Sequence, residues 1–85
     1  MFLHIGNHKN VRLDEIVGIF DTDTATIAKQ TKQYLADCEK RGETVNVTTE
    51  LPKSFVLTAK NGKNTVYFSQ LSVKTLCARA EGNDI

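Results

Sequence analysis

Tryptophan is absent, proline occurs once, and two tyrosines and four phenylalanines are the only large aromatic side chains among 85 residues. Aliphatic side chains must therefore fill the core, and a chain of this size buries only about 60–65% of its unfolded surface. A core that thin makes gain of burial by self-association a reasonable expectation. No apolar run approaches the roughly 18–20 residues a membrane helix needs. The start, MFLHIGNHKN, has no basic segment ahead of an apolar one, so no signal peptide is expected. A cytoplasmic protein without a membrane partner follows as the expectation. Cys38 and Cys77 then face a reducing compartment. Their separation fits neither zinc nor redox spacing, and both read as small buried hydrophobes.

Catalytic patterns are missing as well. The sequence holds no nucleophile elbow, no HExxH and no phosphate loop; NGKNT has one glycine and one lysine but not the spacing of a Walker loop. His4 and His8 lie four apart, with Gly6 and Asn7 breaking the local structure between them and no third ligand at hand, so a sheet-edge and a turn histidine are expected rather than a metal site. Asp14-Glu15 and Asp21/Asp23 fit turns and helix caps better than acid–base work. No enzyme activity, cofactor or small-molecule substrate is expected.

What the chain does have is an uneven charge distribution. Residues 1–50 carry six basic and eight acidic side chains. Residues 51–80 carry Lys53, Lys60, Lys63, Lys74 and Arg79 and no acid at all, a local field of +5 in a chain of net charge +1. Such a field, rather than the total, bears on an anionic partner. Either it contacts phosphates, releasing counterions, or it is the solvated side of a hairpin and a helix. Strand alternation puts Phe55 and Leu57 on the core side and Ser54, Val56, Thr58 and Lys60 on the other, so the lysines gather at the hairpin ends.

The hydrophobic pattern predicts an α+β domain, β-β-β-α-β-β-β-α, over residues 1–81, with a frayed tail at 82–85. Short strands are expected at 2–5 and 11–13. EIVGIF (15–20) is the most apolar strand: Ile16, Gly18 and Phe20 alternate with Val17 and Ile19, which predicts cover on both faces. Gly18 suits close approach of another backbone; the second cover is either a helix or a neighbouring subunit, and in the latter case Val17, Gly18 and Ile19 are the candidate oligomer interface. A long helix is expected over 21–42, capped by Asp23 or Thr24, with Ile27, Thr31, Tyr34, Leu35 and Cys38 as its apolar stripe and Gly42 as its stop. TVNVTTE (44–50) reads as a strand with one wet face. SFVLTA (54–59) and TVYFS (65–69) read as a hairpin turned by Asn61-Gly62. Ser72 caps a last helix packed through Val73, Leu76, Cys77 and Ala80.

Three stretches in this order, IGN…NVRLDEIVGIFD, EKRG and KSFVLTAKNGKNTVYFSQLSVKTLCARA, resemble the RemA/RemB family of bacterial extracellular-matrix regulatory proteins, with DEIVGIFD and the Ser69-to-helix arrangement nearer the RemB branch. The resemblance covers nearly the whole chain. It implies a transcriptional regulator of biofilm-matrix genes that binds double-stranded DNA as a homo-oligomeric ring with a basic rim. Thr49-Glu50-Leu51-Pro52 stand where the family pattern has a glycine and paired arginines, and Glu15 stands where an arginine opens the apolar strand; Lys53 matches a further arginine. The expected phosphate contacts are therefore Lys53, Lys60, Lys63, Lys74 and Arg79, joined by Arg12. The alternative is a self-assembling or hetero-assembling module that does not itself bind DNA.

Overall fold

The chain opens with a hairpin of β1 (Phe2–Gly6) and β2 (Lys9–Arg12), whose turn residues Asn7 and His8 both have positive φ, 49° and 65°. A 3-10 turn (Leu13–Glu15) leads into β3 (Ile16–Asp21), followed by α1 (Thr22–Ala25), α2 (Lys29–Lys40), β4 (Thr44–Asn46), β5 (Ser54–Lys60), β6 (Lys63–Ser69) and α3 (Val73–Ala80). The computed structural model describes residues 1–25 and 27–81; the tail expected at 82–85 lies outside the described residues. The class is α+β, as the pattern predicts.

The main sheet runs β3-β5-β6-β4. β3 and β6 flank β5 antiparallel, and β4 lies parallel to β6 at the far edge. Asn61 and Gly62, at φ 52° and 79°, make the tight β5–β6 turn that an Asn-Gly pair favours, and Lys60 pairs with Lys63 beside it. On one face of the sheet, α2 brings Tyr34, Leu35 and Cys38 against Phe55, Leu57, Val66 and Phe68. On the other, Leu3, Ile5 and Val11 of the first hairpin and Leu76 of α3 pack on Val47 and Val56. Each such fully buried aliphatic side chain contributes about 1.5–3 kcal/mol.

β5 is thus the centre of the molecule, with Ser54, Phe55, Val56 and Thr58 all buried. The alternation expected for it holds, but its second face is a second core, not a wet surface. Its hydroxyls are satisfied: Ser54 Oγ donates to the Leu71 carbonyl at 2.7 Å and Thr58 Oγ1 to the Thr65 carbonyl at 3.2 Å. Ser69, also fully buried, donates to the Ile5 carbonyl at 2.7 Å and accepts from the Leu71 amide at 3.0 Å.

Two elements differ from the sequence reading. The long helix is interrupted between α1 and α2: Ala28 is extended (φ −73°, ψ 129°), and Ile27, expected in the apolar stripe, is 80% exposed. The segment DTDTATI is dense in β-branched residues and Asp, which compete poorly for helix. Asp21 rather than Asp23 or Thr24 supplies the cap, its Oδ1 accepting from the Thr24 amide at 2.9 Å. At the other end the Glu43 amide closes on the Cys38 carbonyl at 2.9 Å, with Gly42 at the expected position.

The second difference is in β3. Ile16 pairs with Thr58 but Gly18 with Leu57, so Val17 is an extra, bulged residue. The bulge resets the alternation. Ile16 and Ile19 share the face of the first-hairpin core, Phe20 stacks on Phe55 with centroids 5.0 Å apart, and Val17 is left 62% exposed. The cover expected on both sides of Val17 is not supplied within the protomer. β4 is also shorter than the strand expected at 44–50: Val47 is buried, and residues 47–53 arch over to β5, held by Val47 on the Phe68 carbonyl and Lys53 on the Ser69 carbonyl.

Candidate nucleic-acid interface

The acid-free segment 51–80 builds the two central strands and α3, so its apolar residues are consumed by the core and its charges emerge where those elements end. Lys53 lies at the start of β5, exposed, its backbone tied to Thr22 and Ser69. Lys60 and Lys63 lie at the other end, beside the Asn61-Gly62 turn and about 20 Å away along a seven-residue strand. Lys74 is exposed in the first turn of α3. Ser72 caps that helix as expected, its Oγ accepting from the Thr75 amide at 3.1 Å. Of the six expected contact residues, Arg12, Lys60 and Lys63 therefore gather at one end of the sheet around Glu15, while Lys53 stands at the opposite end of β5, so the six do not form one continuous patch.

Their availability differs. Arg12 lies in the fork of Asp14, with Nε to Oδ1 at 3.2 Å and Nη2 to Oδ2 at 3.1 Å. That hydrogen-bonded pair raises the guanidinium and holds the Asp14 carboxyl below its ordinary value. Glu15 Oε2 lies 3.8 Å from Arg12 Nε and 3.8 Å from Lys60 Nζ. Arg79 Nη1 donates to the His4 carbonyl at 3.1 Å and lies 3.2 Å from His4 Nδ1, which ties α3 to β1. Lys53, Lys63 and Lys74 make no ion pair among the described residues.

At the β5–β6 turn, Glu15, Lys60, Lys63, Thr65 and Tyr67 line a cleft of about 390 Å³. Lys9 of the first hairpin, not among the expected contact residues, sets its ammonium 5.3 Å from the Tyr67 ring centroid. Glu15 reads in the sequence as a turn carboxylate standing where the family pattern has an arginine; its pairing is not foreseen there, and its i,i+3 spacing from Arg12 was the available signal. Among the described residues no cluster of three His, Cys, Asp or Glu could hold a metal ion, and no helix is long and apolar enough to cross a membrane.

The three candidate interface residues are divided by the bulge. Val17 faces outward on β3, whose outer edge pairs with no strand among the described residues. Ile19 packs into the core. Gly18 makes room for a ring of its own strand: a Cβ there would stand 2.6 Å from Phe20 Cζ. Phe20, 39% exposed, also borders a second cleft of about 250 Å³ with Ala25, Tyr34 and Leu57, where the helix is interrupted.

A family model for RemA-like proteins, described as extracellular matrix regulatory protein A-like, matches residues 2–80. Extracellular matrix regulatory protein B of Bacillus subtilis (strain 168) is 33% identical over 81 residues, covering 95% of this chain and 91% of that protein. The match spans both hairpins, the four-stranded sheet and all three helices, and on it the chain belongs to the RemA-like family of extracellular matrix regulatory proteins.

Proposed function

We propose that this chain is a cytoplasmic, non-enzymatic regulator of extracellular-matrix genes that binds double-stranded DNA as a closed, ring-like homo-oligomer. The carrying observation is the division of labour in residues 51–80: every strand and helix there is spent on the core, while Lys53, Lys60, Lys63 and Lys74 stand exposed with no acid in the segment. Scattered single cations are a weak grip on one protomer. Repeated around a ring they become many phosphate contacts, and affinity grows with their number. No helix here is both basic and free of packing duty, so the reading favours backbone contact and DNA shape over base edges. The exposed Val17 beside the open edge of β3 supports self-association through that edge.

A gel shift on arbitrary duplex tests the DNA half. Binding should weaken by about 10³–10⁵ between 50 and 200 mM salt if six to ten phosphates are contacted, and Lys53→Glu and Lys63→Glu should each weaken it further. A flat salt response removes the phosphate mechanism. Val17→Lys tests the assembly half: Val17 is exposed, so the protomer should stay folded while the particle shrinks on sizing chromatography with light scattering. Wild type running as a monomer at high concentration would refute the ring.

A second reading, an assembly module that does not itself touch DNA, is favoured by the ion pairs of Arg12 and Lys60 with Asp14 and Glu15. Absence of any shift at low salt would make it the better one.

A further inference from the structure

The Glu15 side chain is 22% exposed, against 53% for Arg12 and 68% for Lys60. The carboxylate is therefore the most sheltered member of the group, and the two cations are the ones open to an incoming anion. A single oxygen, Oε2, is shared between cations delivered by different elements, Arg12 from β2 and Lys60 from β5. Asp14 already occupies the guanidinium fork of Arg12. Lys63, paired across the hairpin end with Lys60, lines the same cleft and has no carboxylate partner among the described residues.

We propose that Glu15 sets the strength with which this end of the molecule holds a phosphate backbone, as an internal anion that an arriving phosphate must displace from Lys60. The inference rests on the DNA reading above and adds the residue that tunes it. Two physical effects act in the same direction. A cation that keeps its tethered carboxylate adds little net positive charge against a phosphate, so contact with it releases little of the DNA's counterion atmosphere. A carboxylate left beside a bound phosphate also repels it, the more so because it is partly shielded from water.

Glu15→Gln removes the charge and keeps the shape. Duplex binding measured from 50 to 200 mM salt should tighten about three- to tenfold at the low end, the weight of one charge roughly 6 Å from a phosphate at an effective dielectric constant of about 40–80. The log–log salt dependence should steepen by about 0.9 for each contacting protomer, because Lys60 joins the phosphate contacts. Lys60→Met should abolish that gain in the Glu15→Gln background, and it should weaken wild type by less than it weakens Glu15→Gln. Glu39→Gln, an exposed charge on α2 that alters net charge equally, should leave the slope unchanged. Thermal melts of all four variants check that the fold is retained.

If wild type binds and Glu15→Gln binds identically, or Glu39→Gln has the same effect, the tuning role is overturned and the DNA reading stands. If neither wild type nor Glu15→Gln binds at 50 mM salt, the DNA reading falls and this inference with it. Binding by Glu15→Gln alone would support it most directly.

Discussion

Removing one buried hydroxyl, by Ser69→Ala, should cost this domain a large part of its stability. Ser69 sits at the end of β6 with no solvent exposure and joins three segments through one oxygen. It donates to the Ile5 carbonyl at 2.7 Å and accepts from the Leu71 amide at 3.0 Å. Ile5 is the irregular residue of the first hairpin, where the register jumps from His4↔Asn10 to Gly6↔Lys9, so its carbonyl is offered to β6 and not to β2. Alanine leaves an acceptor and a donor without partners, and an unsatisfied buried polar group costs about 1–3 kcal/mol. Some relaxation toward water is available at the half-buried Leu71, so the expected loss is about 2–4 kcal/mol. A domain of this length has roughly 4–13 kcal/mol in total. The melting temperature should fall by roughly 10–25 °C, taking about 4–8 °C per kcal/mol. Urea unfolding at one fixed protomer concentration is the assay, because association would add concentration dependence. The slope against urea should stay constant while the midpoint drops. Ser72→Ala, which removes only the exposed cap of α3, should cost about 1 kcal/mol by comparison. A Ser69→Ala loss under about 0.5 kcal/mol would refute the claim that this hydroxyl fastens the first hairpin to the sheet.

Other outcomes follow from particular contacts. Leu76→Ala, at the fully buried point of α3, should cost about 2–5 kcal/mol in the same urea assay. Gly18→Ala puts a methyl 2.6 Å from Phe20 Cζ and should turn that ring off Phe55, at about 1–2 kcal/mol; the penalty should shrink in a Phe20→Leu background. Asp14 is held below its ordinary 3.8 by the hydrogen bond from Arg12, so its contribution is complete above about pH 4 and lost as pH falls through the lowered native value. Asp14→Asn should therefore flatten the acid limb of the stability–pH curve and change little near neutrality, as followed by melts from pH 2 to 7.

Local features were legible and long-range ones were not. Asn61-Gly62, the Ser72 cap, and the packing of Tyr34, Leu35 and Cys38 each depend on residues close in sequence, and the pattern reads them directly. The bulge at Val17 does not: period-two alternation assumes one residue opposite one, and only the pairing with β5 shows that Ile16 and Ile19 share a face. The two cores on β5 were hidden because Ser54 and Thr58 look like wet-face residues until their partners, Leu71 and Thr65, are known. At the candidate site the basic character of 51–80 was plain in composition. The tether on Lys60 was not, because it needs the turn at 13–15 to be folded against the hairpin end. The helix interruption had a signal in DTDTATI that the apolar spacing outweighed.

The strand order 3-5-6-4 has a consequence for how the chain comes off the ribosome. Both borders of the main sheet, β3 and β4, are synthesised first, and the pair of strands that must lie between them arrives last. A nascent chain halted after residue 50 owns two margins with no middle, and Leu3, Ile5, Val11 and Val47 lack the Val56 and Leu76 side chains that complete their core. Productive folding should thus wait until Ser69 has emerged, and a fragment ending at residue 50 should be a collapsed coil that gains structure only when residues 51–85 are supplied in trans.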